Sequence, residues 1–100
     1  MSRKRRVDIR KIVGAELRRL RLRAGLAQGD VATALGSHRP IVSRNERGVH
    51  SMKLEHIDRQ ARACGGSLAH VLYAYDVATG ALQPMAATNG GSNQIPKTME

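Results

Sequence analysis

The side chains able to do chemistry in this sequence are mostly lysines and arginines, and they lie in its first half. Residues 1–50 hold 13 basic and 4 acidic side chains, whereas residues 51–100 hold 4 of each, so the formal net charge of +9 belongs to the N-terminal half. Lysine and arginine bind polyanions by neutralising phosphates and releasing condensed counterions. The charge distribution therefore indicates a nucleic-acid-binding protein.

The sequence offers little for metal binding or catalysis. Cys64 is alone in the sequence, which rules out an intramolecular disulfide and a cysteine-rich metal site. Together with Cys64, the histidines match no compact zinc spacing; they are His38, His50, His56 and His70. We find no nucleophile elbow, phosphate-binding glycine loop or paired-carboxylate site. We therefore expect no enzyme, no cofactor and no metal.

Apolar residues recur at helical spacing in four stretches, which predict helices at 9–24, 28–35, 39–47 and 54–64. Asp8 is placed to cap the first helix, and glycines at 25, 36 and 48 stand where the first three must end. Pro40 is tolerated because it falls in a first helical turn. Cys64 lies on the apolar face of the fourth helix, so we assign it to the core.

The pattern after Ser67 is ambiguous. Apolar residues from Leu68 to Tyr75 fit a helical stripe, but the stretch is also rich in strand formers. We favour a fifth helix. The alternative is four helices followed by a C-terminal hairpin used for dimerisation, with a loop at 76–80 and a returning strand at 81–85.

Composition divides the chain into three parts. Residues 1–8 are predicted to be a flexible basic arm, because Arg3, Lys4, Arg5 and Arg6 repel one another and residues 2–6 contain no apolar side chain to bury. Residues 9–76 form the predicted domain. Residues 77–100 form an extension that we expect to be largely disordered after Pro84, since it has few apolar side chains.

Two short helices joined at Gly36 satisfy the geometry of a helix-turn-helix, with Ala32 small enough for close packing of the second helix. The residues resemble the XRE, or lambda-repressor-like, family, and the resemblance implies a compact all-α domain of five helices over roughly residues 10–72. The matching motifs are Leu17-Arg18-Arg19-Leu20-Arg21, Gly25-Leu26-Ala27-Gln28, Val31-Ala32, Leu35-Gly36 and Val42-Ser43-Arg44-Asn45-Glu46-Arg47-Gly48.

The resemblance also implies roles for matching positions. Arg39 and Arg44 are the expected base readers, because a guanidinium bonds bidentately to guanine, although a phosphate contact is the alternative for each. The expected base contacts are Arg39, Arg44, His38 and Pro40. The expected phosphate contacts are Gln28, Ser43, Arg47, His50 and Lys53, although a solvated loop is the equal alternative for His50 and Lys53. Outside the matching region, the basic arm is expected to add Arg3, Lys4, Arg5 and Arg6.

The same resemblance implies an ion pair between Arg21 and Glu46 that ties the recognition helix to the first helix. The sequence departs from the family at Ala27, where a capping Ser or Thr is usual. It also departs at three commonly apolar positions, which here hold Ser37, Asn45 and Asp58.

These observations predict a cytoplasmic regulator of transcription that binds double-stranded DNA and no membrane. The leading hypothesis is a homodimeric repressor on a palindromic operator, with half-sites about one helical turn apart. The expected dimer interface comprises Leu68, Val71, Leu72, Tyr73 and Tyr75. One alternative is an antitoxin that autorepresses its operon and binds a toxin through its C-terminal segment. Another is an antiactivator that binds a different regulator.

Overall fold

The computed structural model describes residues 8–80, and all regular structure in that range is helical. The helices are α1 (Ile9–Arg23), α2 (Gln28–Leu35), α3 (Arg39–Arg47), α4 (Leu54–Ala63) and α5 (Leu68–Ala78). The five-helix prediction is confirmed, and the hairpin alternative is wrong for residues 68–78. The predicted strand at 81–85, the arm at 1–7 and the tail after Pro84 lie outside the described residues.

The first two helices begin with different capping arrangements. A side-chain oxygen of Asp8 accepts a hydrogen bond from the Arg10 backbone N–H at 3.1 Å, so Asp8 caps α1 as expected. Ala27 precedes α2 and has no side-chain oxygen with which to cap it. Asp30 nevertheless accepts a hydrogen bond from the Ala27 N–H at 2.8 Å, which is the reciprocal half of a capping box. The start of α2 therefore has one of the two hydrogen bonds that a complete capping box provides.

Small aliphatic side chains fill the core, because the chain has no Phe or Trp. The helix α1 lies at the centre and packs against α3 on one side and α5 on the other. Burial raises the pKa of the Cys64 thiol, which fits its assignment to the core. The buried core residues are Leu17, Leu20, Val31, Ala32, Val42, Ile57, Ala61, Cys64 and Val71.

Two glycines allow α1 and α3 to approach one another closely. A Cβ on Gly14 would lie 2.6 Å from the backbone oxygen of Asn45 and closer still to that of Glu46. Gly48 ends α3 at φ +66°, and a Cβ there would lie 2.5 Å from the backbone oxygen of Arg10. The sequence indicated Gly48 as a helix end, but nothing in the local pattern marked Gly14. Its requirement arises only from the packing of α1 on α3.

The helix α5 depends on a residue from α4 for its start. One Asp58 oxygen accepts a hydrogen bond from the Leu68 N–H at 2.9 Å, and the other accepts one from Arg62 Nε at 2.8 Å. The polar residue at this commonly apolar position therefore caps the next helix. The helix continues to Ala78, two residues beyond the domain boundary expected at 76.

We expect Asp58→Asn to reduce the sensitivity of stability to acid. Hydrogen bonds from Arg62 and from the Leu68 backbone hold the pKa of the Asp58 carboxyl below its ordinary value of 3.8. A carboxylate with a depressed folded pKa stabilises the protein above its unfolded pKa, and this contribution is lost as pH falls through the folded pKa. Wild type should therefore lose more stability than the variant as pH falls below the ordinary value of 3.8.

Urea midpoints from circular dichroism at several pH values check this expectation. The matched control is Glu55→Gln, which alters an exposed carboxylate on the same helix that has no partner within residues 8–80. The control should follow the wild-type profile. Identical pH profiles for wild type and Asp58→Asn would contradict the role of Asp58.

Within residues 8–80, none of the helices has both the length and the apolar character that crossing a bilayer requires.

Candidate nucleic-acid interface

The turn between α2 and α3 sets the angle of the second helix. Gly36 adopts φ +65°, a left-handed conformation that favours glycine, and the Ser37 N–H donates to the Ala32 carbonyl at 2.8 Å. His38 then extends the chain, and α3 begins with Pro40 in its first turn. Two helices joined by so short a turn have the arrangement of a helix-turn-helix, with α3 in the position of the recognition helix.

The recognition helix α3 has one buried and one exposed face. Val42, Asn45 and Glu46 are buried. The opposite face carries the predicted DNA-contacting residues, of which Arg39, Pro40, Arg44 and Arg47 are exposed and Ser43 is half-buried; His38, just before the helix, is also exposed. The structure thus brings these side chains together on one surface.

Arg44 differs from Arg39 in its freedom to bind a ligand. In the part of the chain that the structure describes, the Arg44 guanidinium has no hydrogen-bond or ion-pair partner. Arg39 donates from Nη1 to the Gln28 side-chain oxygen at 2.9 Å. Arg44 is therefore available for a new contact without loss of an existing one, whereas Arg39 is held by α2.

Gln28 connects the recognition helix to the rest of the domain. Its amide oxygen accepts from Arg39, and its amide nitrogen donates to a Glu46 oxygen at 3.1 Å. The sequence predicted a phosphate contact for this side chain and did not indicate either partner. The Gln28 amide nitrogen keeps a second N–H that can donate to a phosphate without loss of either partner, and the backbone N–H of Gln28 at the start of α2 can do the same.

Arg21 and Glu46 form a buried bidentate ion pair between α1 and α3, as the resemblance implied. Arg21 Nε lies 2.6 Å from one carboxylate oxygen and Nη2 lies 3.0 Å from the other, with side-chain exposures of 10% and 2%. The hydrogen bonds to Glu46 raise the pKa of Arg21 although burial opposes this. The third nitrogen, Nη1, donates to the Leu26 carbonyl at 2.9 Å. This pair fixes α3 and the loop before α2 to α1.

The loop after α3 supplies the remaining predicted phosphate contacts within the described residues. His50 is half-buried, and Lys53 is exposed immediately before α4. Lys11 was not singled out from the sequence, yet its ammonium group donates to the Arg47 carbonyl at 3.2 Å at the end of α3. The arm residues Arg3, Lys4, Arg5 and Arg6 lie outside the described residues.

A buried amide pair lies behind the recognition helix. Asn45 Nδ2 donates to Gln60 Oε1 at 2.8 Å, and both residues are less than a tenth exposed. Asn45 Oδ1 and Gln60 Nε2 are buried and have no hydrogen-bond partner among residues 8–80. A polar pair in an apolar interior favours one register of α3 against α4, because sliding would leave further polar groups unpaired. The sequence showed Asn45 at a position that is commonly apolar in the family, but it did not predict the hydrogen bond to Gln60.

The predicted dimer residues do not share one environment. Val71 is only 1% exposed and belongs to the core, and Leu68 packs against that core. Val71 is therefore not a surface residue, whereas Leu68 is half-buried against the core. Tyr75 is half-buried, whereas Leu72 and Tyr73 are 50% and 38% exposed.

Comparison with known proteins agrees with this geometry. The profile of the helix-turn-helix domain family matches residues 12–72. The crystal structure of the clp gene regulator ClgR from C. glutamicum is similar, with a TM-score of 0.66 and 29% identity, covering 83% of this chain and 100% of that one. No curated protein matches.

The fold and its exposed α3 define a DNA-binding protein of the helix-turn-helix class that acts in transcription regulation. Because the family profile spans more than half of the sequence, the chain belongs to the helix-turn-helix domain family, of the XRE-like kind. The prediction made from the motif spacing is confirmed.

Proposed function

We propose that this protein is a repressor that binds a palindromic operator as a homodimer and reads bases with Arg44 and Arg39. The observation that carries the proposal is Arg44, which is exposed and has no partner within the described residues. It lies near the centre of α3, and the other face of α3 is held by the ion pair between Glu46 and Arg21. A rigid support lowers the entropic cost of aligning a guanidinium with the two acceptors of guanine. Occupation of an operator by such a domain represses by excluding other proteins.

Base and phosphate contacts divide along the α3 surface in this proposal. Arg39 and Arg44 contact guanine, and His38 and Pro40 lie against the neighbouring bases. The contact from Arg39 to Gln28 supports a preset orientation for Arg39. Phosphates on either side are bound by the α2 N-terminus at Gln28 and by Ser43, Arg47, His50 and Lys53, with the arm adding Arg3, Lys4, Arg5 and Arg6.

We expect Arg44→Ala to weaken operator binding by about 10- to 100-fold and to relax specificity at one base pair. A good bidentate contact contributes about 1–3 kcal/mol of discrimination between bases. The operator is first selected from a random duplex pool. Affinity is then measured by fluorescence anisotropy against salt, with the selected duplex and with single-base variants.

The matched control is Arg23→Ala, which removes another exposed arginine without a partner in the described residues, on α1. It should leave specificity unchanged. If Arg44→Ala weakens binding to all sequences equally and lowers the salt slope by about one, Arg44 contacts phosphate and its base-reading role is wrong.

The helix α5 supports a homodimer. It is apolar on nearly all sides. Among residues 8–80, however, Val71 is the only residue of α5 that is fully buried. A helix that is hydrophobic all round is normally covered on all sides. The half-exposed Leu72 is therefore our candidate for the centre of the interface. Two copies joined along α5 would present two recognition helices to successive major grooves.

We expect Leu72→Glu to raise the dimer dissociation constant at least about 30-fold, because burying a leucine contributes about 2 kcal/mol. Sedimentation equilibrium measures the effect. Leu22→Glu is the matched control, since Leu22 is equally exposed (51%) but lies on α1. A wild-type chain that stays monomeric at high micromolar concentration would contradict the homodimer, and equal effects of both variants would contradict the α5 interface.

The antitoxin alternative rested on two features. One was a hairpin at 68–85 for a strand-mediated dimer, but residues 68–78 form a helix instead. The other was the C-terminal tail as a segment that orders on a partner, and it lies outside the described residues. No observation favours the antiactivator, because Pro40 lies in the first turn of α3 and leaves that helix intact. We therefore propose neither, and a cytoplasmic location remains a prediction.

A further inference from the structure

A groove of about 500 Å³ is lined by Ile41 and Asn45 of the recognition helix and by none of that helix's exposed arginines. Its walls come from the end of α2, from α3, from the loop before α4, and from α4 itself. Its apolar floor comprises Ile41 of the recognition helix together with Leu35 and Met52. The volume falls within the range of sites that bind small organic molecules. None of the contacts that the DNA proposal requires uses this floor.

The rim of the groove carries two cationic side chains and two imidazoles. His50, Lys53, His56 and Arg59 line it, and no carboxylate is among its lining residues in the described chain. Lys53, His56 and Arg59 are exposed. A cavity that carries one sign of charge above low-dielectric walls concentrates ions of the opposite sign.

These rim groups are largely without protein partners in the described part of the chain. Arg59 makes one long contact, from Nη2 to the Leu35 carbonyl at 3.4 Å. Within residues 8–80, the side chains of His50, Lys53 and His56 have no hydrogen-bond or ion-pair partner. An anion that enters the groove therefore displaces no ion pair among these residues.

The unpaired atoms of Asn45 and Gln60 do not take part. Both residues are among those that line the groove, but Asn45 Oδ1 and Gln60 Nε2 are closed to solvent. Recognition is left to the charged rim and the apolar floor. This combination fits a molecule with an anionic head and an apolar body better than it fits a simple inorganic ion.

We propose that this groove binds a small amphipathic organic anion, such as an aromatic or aliphatic carboxylate or sulfonate, and that binding releases DNA. Release follows because the anion binds His50 and Lys53, which are then no longer available as proposed phosphate contacts. By reciprocity, DNA must then weaken anion binding by the same factor. The release step depends on the proposed function, whereas binding of the anion does not.

The test uses 1-anilinonaphthalene-8-sulfonate as the probe, because it combines an aromatic body with a sulfonate and fluoresces when bound. The full chain is titrated with and without selected operator duplex. We expect saturable binding of one probe per chain, and a shift of the Ile41 δ1 methyl resonance in the NMR spectrum. Operator duplex should weaken binding of the probe.

The double variant His56→Gln/Arg59→Gln should weaken probe binding at least about fivefold, because the guanidinium and one imidazole are removed from the rim. Both side chains are exposed, so the variant should fold, and circular dichroism checks this. Arg23→Gln is the charge-matched control and should bind as wild type does. Arg44→Ala should bind the probe normally even if it fails on DNA, which separates this proposal from the function proposed above.

Three results would overturn the proposal. The first is the absence of saturable probe binding by the folded wild type. The second is equal binding by wild type and the double variant, which would place the probe elsewhere. The third is a double variant that binds probe normally but shows a smaller salt dependence of DNA binding. The cations of the rim would then serve DNA phosphates only.

Discussion

Replacing Glu46 with alanine should lower the free energy of unfolding by about 3–5 kcal/mol, because the change leaves the Arg21 guanidinium buried without its counter-ion. The Glu46 carboxylate accepts two hydrogen bonds from Arg21 and one from Gln28, and it is 2% exposed. A small domain has only about 5–15 kcal/mol of stability in total, so the variant should be close to unfolding. Urea denaturation followed by circular dichroism measures the loss.

Two comparisons isolate the cause. Glu55→Ala removes an exposed carboxylate with no partner in the described residues, and it should change stability by less than about 1 kcal/mol. Arg21→Met combined with Glu46→Leu should recover much of the loss, because an apolar pair of similar volume leaves no charge unpaired. A Glu46→Ala midpoint equal to that of wild type would show that the pair contributes nothing to the fold.

Gly14→Ala should destabilise the protein by about 1–3 kcal/mol, which is opposite in sign to its effect on an isolated helix. Helix propensity alone favours alanine over glycine by about 1 kcal/mol in a helix interior. In the structure, however, the new Cβ would collide with the backbone oxygens of Asn45 and Glu46. Backbone atoms at the end of α3 cannot move aside cheaply, so α1 and α3 would separate and strain the Arg21–Glu46 pair.

Gly29→Ala is the matched control for this prediction. Gly29 also lies in a helix, but a Cβ there meets nothing within 4 Å, so alanine should be neutral or stabilise by up to about 1 kcal/mol. Thermal and urea unfolding of the two variants should therefore give changes of opposite sign. Stabilisation by both substitutions would mean that α1 and α3 are not in close contact.

Much of the helix-turn-helix was predictable because its signals are local. The spacing of apolar residues marks the helices, Gly36 and Gly48 end two of them at positive φ, and Pro40 marks a first turn. Asp8 caps the helix that follows it immediately. Each of these signals acts within about four residues of the chain, which is the range that helix formation itself uses.

Contacts between helices were less accessible from the sequence. The choice between helix and strand after Ser67 depends partly on Asp58, which caps α5 from ten residues upstream. Gln28 could be recognised as the first residue of α2, but its bonds to Arg39 and Glu46 join α2 to both the start and the end of α3. Such partners depend on how whole helices pack, and no spacing along the chain encodes them directly.

The sequence by itself therefore determined the class of protein, the position of the recognition helix and the concentration of positive charge near it. Local propensity and short-range capping are sufficient for that much. Only the tertiary structure decided that, within the described residues, Arg44 has no partner whereas Arg39 is bonded to Gln28. It also decided that Gly14 admits no side chain, and that Val71 faces the core while Leu72 does not. The physical reason is that burial, steric contact and charge pairing depend on residues far apart in the chain.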